Sequence, residues 1–152
     1  MERILYGKPI AEELDAKSKL IFKNFENAND RKPKLTAITV GDNPASLLYV
    51  SRKEEKAIEL GVEFNWIKLN KATSQKDLEE KVELSAKDSD GIIIQLPLPE
   101  HINPEEAINK IPYNLDVDGL TALNLGNLYS EEYKIIPATS LAILEMIKFY
   151  KI

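Results

Sequence analysis

Leu35-Thr36-Ala37-Ile38-Thr39-Val40, running into Gly41-Asp42-Asn43-Pro44, is the stretch on which the fold turns. It is rich in β-branched residues, follows Pro33 and ends in a cluster of turn formers, so it reads as a buried strand followed by a turn. A helix is expected next, from about Ala45 to Leu60, with Gly61 as its C-terminal stop. Upstream, Ile10, Leu14, Ile21, Phe22 and Phe25 recur at helical spacing over residues 9–28, with Pro9 near the first turn, which predicts an amphipathic helix. Downstream, Val62–Leu69 alternates Val62, Phe64 and Trp66 on one face, as a half-buried strand does. Ser74-Gln75-Lys76-Asp77 resembles a capping box that opens a helix to about Lys87.

Gly91–Leu96 (GIIIQL) is a short continuous apolar run, the signature of a central parallel strand covered on both faces. Asn103-Pro104-Glu105-Glu106 supplies an N-cap, a first-turn proline and a box glutamate for a short helix. After a loop over residues 112–120, a last helix is expected from near Thr139 to Ile152. This alternation of strand and helix predicts an α/β fold: a three-layer sandwich around a mainly parallel sheet. Right-handed crossovers bring the strand C-terminal ends to one edge, where ligands bind such sheets. Gly41–Ser46, Ile94–Pro99, Asp116–Gly119 and the start of the second helix are expected to converge there.

Composition narrows the function. The 152 residues carry 25 acidic and 20 basic side chains, a net charge of −5, which gives no electrostatic footprint for nucleic acid. There is no cysteine, which excludes disulfides, a thiolate nucleophile and cysteine-ligated metal. His101 is the one histidine, so a metal cluster or a serine triad would rest on it alone; a loop histidine is the expected reading. No apolar run is long enough for a membrane span and no signal-peptide core is evident, so a soluble, cytoplasmic protein is expected. Neither G-x-G-x-x-G nor G-x-x-x-x-G-K-[ST] occurs.

Tyr49 and Lys53 are spaced i, i+4 and share a helix face. A lysine drawn out of water beside an aromatic ring is easier to deprotonate, which suits proton transfer; the alternative is a solvated lysine beside a packed tyrosine. Gln95 interrupts an apolar strand, where it either positions a substrate or satisfies loop backbone. Asp116 and Asp118 flank Val117, and in an extended segment both carboxylates face one side. They suit a guanidine-like edge, a metal, or an Asx turn.

Taken together, V-G-D-N-P-A-S-x-x-Y-x-x-x-K at 40–53, G-I-I-I-Q-L-P-L-P-E-H-I at 91–102 and D-V-D-G-L-T-A-L-N-L-G-N-L at 116–128 resemble one family. It is the bifunctional methylenetetrahydrofolate dehydrogenase/methenyltetrahydrofolate cyclohydrolase family. The resemblance covers essentially the whole chain. It implies that residues 1–152 are a folate-binding catalytic domain, similar to the N-terminal domain of the amino-acid-dehydrogenase-like class, whose last helix leads into a nucleotide-binding domain absent from this chain. It implies that Lys53 is the general acid/base, that Tyr49 stacks on the folate, that Gln95 assists the lysine and that Asp118 anchors the pterin edge. Ser46 and the backbone around Ile94 and Leu96 would line the same pocket. The resemblance further implies tetrahydrofolate derivatives as substrates, NADP or NAD held by the missing domain, no metal, and a homodimer in the complete protein. Two departures stand out. Pro137-Ala138-Thr139-Ser140 replaces the family's usual P-C-T-P, leaving Thr139 as the expected helix cap. The nucleotide-binding segment is missing. Three functions are therefore weighed: a catalytic folate domain, a folate-binding module without catalysis, and a protein-interaction domain.

Overall fold

The computed structural model describes residues 4–152. Its sheet has three strands, β1 (Lys34–Val40), β2 (Glu63–Leu69) and β3 (Gly91–Ile94), all parallel and in the order β2-β1-β3. The central strand is β1, as its apolar character requires: Ile38 and Ala37 are fully buried, and β3 is buried along its whole length. The register sets Ala37 against Trp66 on one side and against Ile93 on the other. Residues 115–118 extend the order beyond β3, because Ile92 donates its N–H to the Leu115 carbonyl at 2.7 Å and bridges Asp116 in parallel.

The helices are α1 (Lys8–Asn29), α2 (Pro44–Leu60), α3 (Gln75–Ser85), α4 (Pro104–Ile108), α5 (Ala122–Tyr129) and α6 (Ala138–Tyr150). They build the expected layers. On one sheet face Ala37 and Ile93 pack with Val50 of α2, with Leu35, Phe64 and Trp66 at the margin. On the other, Ile38, Val40, Ile92 and Ile94 pack with Leu78 and Val82 of α3 and with Ala107 and Ile108 of α4.

Local chemistry accounts for the element ends. The Asn43 side chain accepts from the N–H of Ala45 and Ser46 and caps α2, while Gly61 closes it at φ +85°. Ser74 caps α3, accepting from the Asp77 N–H at 3.2 Å and donating to the Asp77 carboxylate at 2.7 Å. Asn103 caps α4. At the opposite edge of the sheet, Arg31 grips Asp90 with two hydrogen bonds of 2.6 and 2.8 Å, and Asp90 also accepts from the Lys34 N–H at 2.9 Å. The Arg31 guanidinium holds the Asp90 carboxyl below the usual aspartate range. One carboxylate thus aligns the starts of β1 and β3.

Three expectations need correction. Between the expected loop over residues 112–120 and the last helix, where no element was expected, lies α5, capped by the Thr121 hydroxyl, which accepts from the Asn124 N–H. The last helix begins one residue before Thr139, with Pro137 at its N-cap and no side-chain cap. The apolar stripe of α1 is only partly covered: Ile10 is buried, but Leu14 and Ile21 are exposed.

Gly91 marks where β3 meets the Asp116 segment. A Cβ at this position would stand 2.6 Å from Val117 Cγ1, closer than two carbons can approach. Gly91→Ala should therefore destabilise the fold by about 1–3 kcal/mol, the usual cost of overpacking. Urea unfolding followed by circular dichroism checks this, and an unchanged midpoint would show that Val117 has room to give.

Candidate active site

The sheet's C-terminal edge assembles the site from α2, the loop after β3 and the segment alongside β3. Lys53 sits midway along α2, one turn after Tyr49, so both project on the same side. The Lys53 ammonium donates to Gln95 Oε1 at 3.3 Å and lies 3.9 Å from Asp118 Oδ2. Both charged side chains are about two-thirds covered, at 35% and 29% exposure, so this ion pair is partly screened rather than solvated. Gln95 and Asp118, each more than 40 residues from Lys53 in sequence, thus meet at its ammonium.

Gln95 satisfies loop backbone, as one of its two readings had it, and also meets Lys53. Its amide oxygen faces Lys53 while its amide nitrogen donates to the Leu96 carbonyl at 2.7 Å, which fixes which end of the side chain the lysine sees. Ser46, buried at the start of α2, donates to the same Leu96 carbonyl at 3.4 Å. The Leu96–Pro97 peptide bond is cis. Ile94 turns its side chain into the core, so only its backbone borders the site, whereas Leu96 is partly exposed.

The two aspartates have different partners. Asp116 is buried and takes hydrogen bonds from its own loop, including the Gly119 N–H at 2.9 Å, and from Asn124 of α5, which makes it the turn organiser. Asp118 faces Lys53. Burial pushes the Asp118 carboxyl above the usual aspartate range; Lys53 pulls it down, and the nearby Asp116 charge adds to the rise. Asp118 is thus readier than an ordinary aspartate to hold a proton or accept a polar partner.

Tyr49 is 58% exposed, with its ring available as a platform. It and Lys53 also border a cavity of about 550 Å³ between α1, α2 and the start of the sheet, walled by Phe22, Leu35, Ala57, Leu60, Val62 and Val117. Sequence reasoning did not anticipate this cavity; the signal was the small Ala57 and Gly91 opposite the bulky Phe22 of α1. His101 accepts the loop role, with Nε2 at 2.9 Å from the Thr73 carbonyl. Among the described residues, no group of three or more metal-ligating side chains comes together.

The profile of the tetrahydrofolate dehydrogenase/cyclohydrolase catalytic domain matches residues 5–118. The chain belongs to this family. The bifunctional protein FolD of Streptococcus agalactiae is 34% identical over 154 aligned residues, covering 100% of this chain and 54% of the relative. A 5,10-methylenetetrahydrofolate dehydrogenase from the silkworm Bombyx mori is 34% identical with a TM-score of 0.94, covering 100% of this chain and 53% of that one. The Trypanosoma brucei N5,N10-methylenetetrahydrofolate dehydrogenase-cyclohydrolase, solved with NADP and an inhibitor, is 27% identical at a TM-score of 0.91, covering 100% of this chain and 53% of its own. The chain therefore spans about half the length of the relatives it matches.

Within this folate dehydrogenase/cyclohydrolase catalytic domain, the turn after the central strand is already capped by a side chain. The β1–α2 turn reads Gly41-Asp42-Asn43-Pro44, and the Asn43 side chain already takes the Ala45 and Ser46 N–H groups that a phosphate would need. The α2 proline removes a further donor.

The electrostatics of the family site are testable without ligand. Lys53→Met removes the cation that opposes burial at Asp118, so the Asp118 titration midpoint should move to higher pH. Carboxyl-detected NMR measures it; a midpoint that stays put would mean the 3.9 Å pair carries no coupling.

Proposed function

We propose that residues 1–152 are the folate-binding catalytic domain of an enzyme of one-carbon folate metabolism. In this reading the enzyme oxidises 5,10-methylenetetrahydrofolate to 5,10-methenyltetrahydrofolate with NADP or NAD and hydrolyses the product to 10-formyltetrahydrofolate. The observation that carries the proposal is the Lys53 ammonium held between the Gln95 amide oxygen and the Asp118 carboxylate, one turn from the Tyr49 ring. Family membership supports the substrate class.

Each residue has a task that its surroundings support. The Tyr49 ring stacks on the folate and orients it. Asp118 accepts from the N–H groups of the pterin's aminopyrimidinone edge, a match of one carboxylate to two parallel donors. Leu96 and the Ile94 backbone form the wall, and Ser46 holds that wall through the Leu96 carbonyl. In the hydrolytic step, water adds to the methenyl carbon and forms a C–O bond. Lys53, in its neutral form, takes the proton that water loses. The protonated Lys53 returns that proton to N5 as the bond from the carbon to N5 breaks, the carbinol O–H proton passes to solvent as the C=O forms, and the formyl group stays on N10. The cationic substrate itself favours a neutral amine beside it, because like charges repel. Gln95 keeps the amine aimed by accepting from it.

NADP or NAD supplies the hydride acceptor when bound. Its domain, in this proposal, lies outside the chain and covers α6, whose Leu141, Ile143, Leu144, Ile147 and Phe149 are all at least 38% exposed. The finer expectations of a homodimer and of cytoplasmic location belong to the same reading. Among the described residues, no helix is long and apolar enough to cross a membrane.

Two outcomes test the proposal. Purified residues 1–152 should show no dehydrogenase turnover with NADP or NAD and little or no cyclohydrolase turnover, as measured by methenyltetrahydrofolate absorbance. Turnover with either dinucleotide would overturn the division of labour. In the chain joined to a relative's nucleotide-binding domain, Lys53→Met should keep folate binding and lose cyclohydrolase rate by about 10²–10⁴-fold, the scale of general acid–base catalysis. Unchanged turnover would remove Lys53 from the proton path.

A further inference from the structure

Asp116 has no part in the proton path just described, yet it is the one charged side chain in the buried set among the described residues, at 1% exposure. Burying a carboxylate is costly unless donors surround it. Here they do. Asp116 Oδ1 accepts from the Gly119 N–H at 2.9 Å, and Oδ2 accepts from the Thr121 N–H and the Asn124 side-chain amide, both at 2.8 Å. Burial alone would push this carboxyl up, but the Thr121 N–H, the Asn124 amide and the Thr121 hydroxyl outweigh it and hold it below the usual range. The group stays charged.

The geometry gives that charge a purpose. Asp116 is bridged to Ile92 on one side and tied to the turn and the first residues of α5 on the other. Asn124 extends the tie, its amide also donating to the Tyr113 carbonyl at 2.9 Å. Between these fixed points lie only Val117, packed over the bare Cα of Gly91, and Asp118. An asparagine at 116 has one acceptor oxygen, and its NH₂ would confront a backbone N–H.

We infer that Asp116, clamped by Asn124, is the positioning residue of the site: it fixes the segment that sets Asp118 against Lys53. The inference rests on the folate reading for its ligand, though not for its geometry. It also gives a use to α5, which otherwise only covers the sheet edge.

The experiment compares wild type, Asp116→Asn and Asn124→Ala, with Lys53→Met added to the first two. Carboxyl-detected NMR follows the Asp118 midpoint without ligand, 5-formyltetrahydrofolate titration follows affinity, and circular dichroism confirms folding. Asp116→Asn removes a neighbouring negative charge, which by itself lowers the Asp118 midpoint, so positioning is read from the shift that Lys53→Met gives that midpoint: it should shrink in the Asp116→Asn background as Asp118 leaves Lys53. Asp116→Asn should weaken 5-formyltetrahydrofolate binding by about tenfold or more, the equivalent of one charge-assisted hydrogen bond. Asn124→Ala keeps the Asp116 charge, so withdrawal of Asp118 from Lys53 should raise the Asp118 midpoint while affinity falls severalfold. A folded Asp116→Asn protein in which Lys53→Met still shifts the Asp118 midpoint in full overturns the inference and leaves Asp116 as scaffold. If Asp116→Asn does not fold, Asn124→Ala decides: weakened binding supports the clamp and unchanged binding overturns it. If wild type binds no folate, the folate reading fails, and the ligand-free midpoints still decide whether Asp116 positions Asp118.

Discussion

Parallel pairing of Leu35–Ile38 with Gly91–Ile94 is the constraint on which the rest of the molecule depends. Parallel strands cannot be joined by a tight turn, so each crossover must carry a helix over a sheet face. That requirement puts α2 on one face and α3 on the other, and brings both strand exits to one edge. The pairing is set at its far end by Arg31 and Asp90, whose bidentate contact and capping of Lys34 align the two strand starts. A slip of one residue would turn Ile38 and Ile92 out of their shared core and would carry Gln95 away from Lys53. Register and chemistry are therefore one problem.

The site at that edge works by partial burial. Lys53 and Asp118 are covered enough to influence each other and open enough for a ligand to displace what separates them. Gln95 contributes without charge, since its two ends are committed to Lys53 and to the Leu96 carbonyl. A carboxylate in its place would strengthen the hold on the ammonium and make a neutral amine harder to reach. Asp118 sits near a second carboxylate, and its elevated titration reflects burial first and that neighbour next.

Much of this was legible in the sequence. The apolar run of β3, the Ser74, Asn103 and Gly61 caps and the i, i+4 placement of Tyr49 and Lys53 are local features, and each follows from short-range chemistry. The convergence of Gln95 and Asp118 on Lys53 was legible only through the order of the strands and the motif resemblance. Helix α5 was not legible, because Asn124, Gly126 and Asn127 are weak helix formers and Asn124 is held by tertiary hydrogen bonds to Asp116 and Tyr113. Spacing alone did not separate Asp116 from Asp118; only the motif resemblance singled out Asp118. Alternation puts both carboxylates on one side of an extended strand, whereas the Gly119 turn draws Asp116 into its own loop. The α6 start was misplaced for a related reason: Thr139 is a good cap residue, but Pro137 already supplies the extended backbone that ends the preceding segment.

What remains exposed is as informative as what is buried. The apolar faces of α6 and α1 stay partly exposed, and the Tyr6–Tyr150 hydrogen bonds join the segment before α1 to the end of α6. A half-site with a finished acid–base cluster and an unfinished apolar border fits a domain whose relatives are about twice its length. The central claim is that the folate half of the active site is already formed in these residues. Titrating the isotope-labelled chain with 5-formyltetrahydrofolate, and mapping the perturbed resonances, tests it most directly. Saturable binding with the largest changes at Tyr49, Lys53, Gln95 and Asp118 is the predicted result; no saturable binding, or binding mapped away from that edge of the sheet, would contradict it.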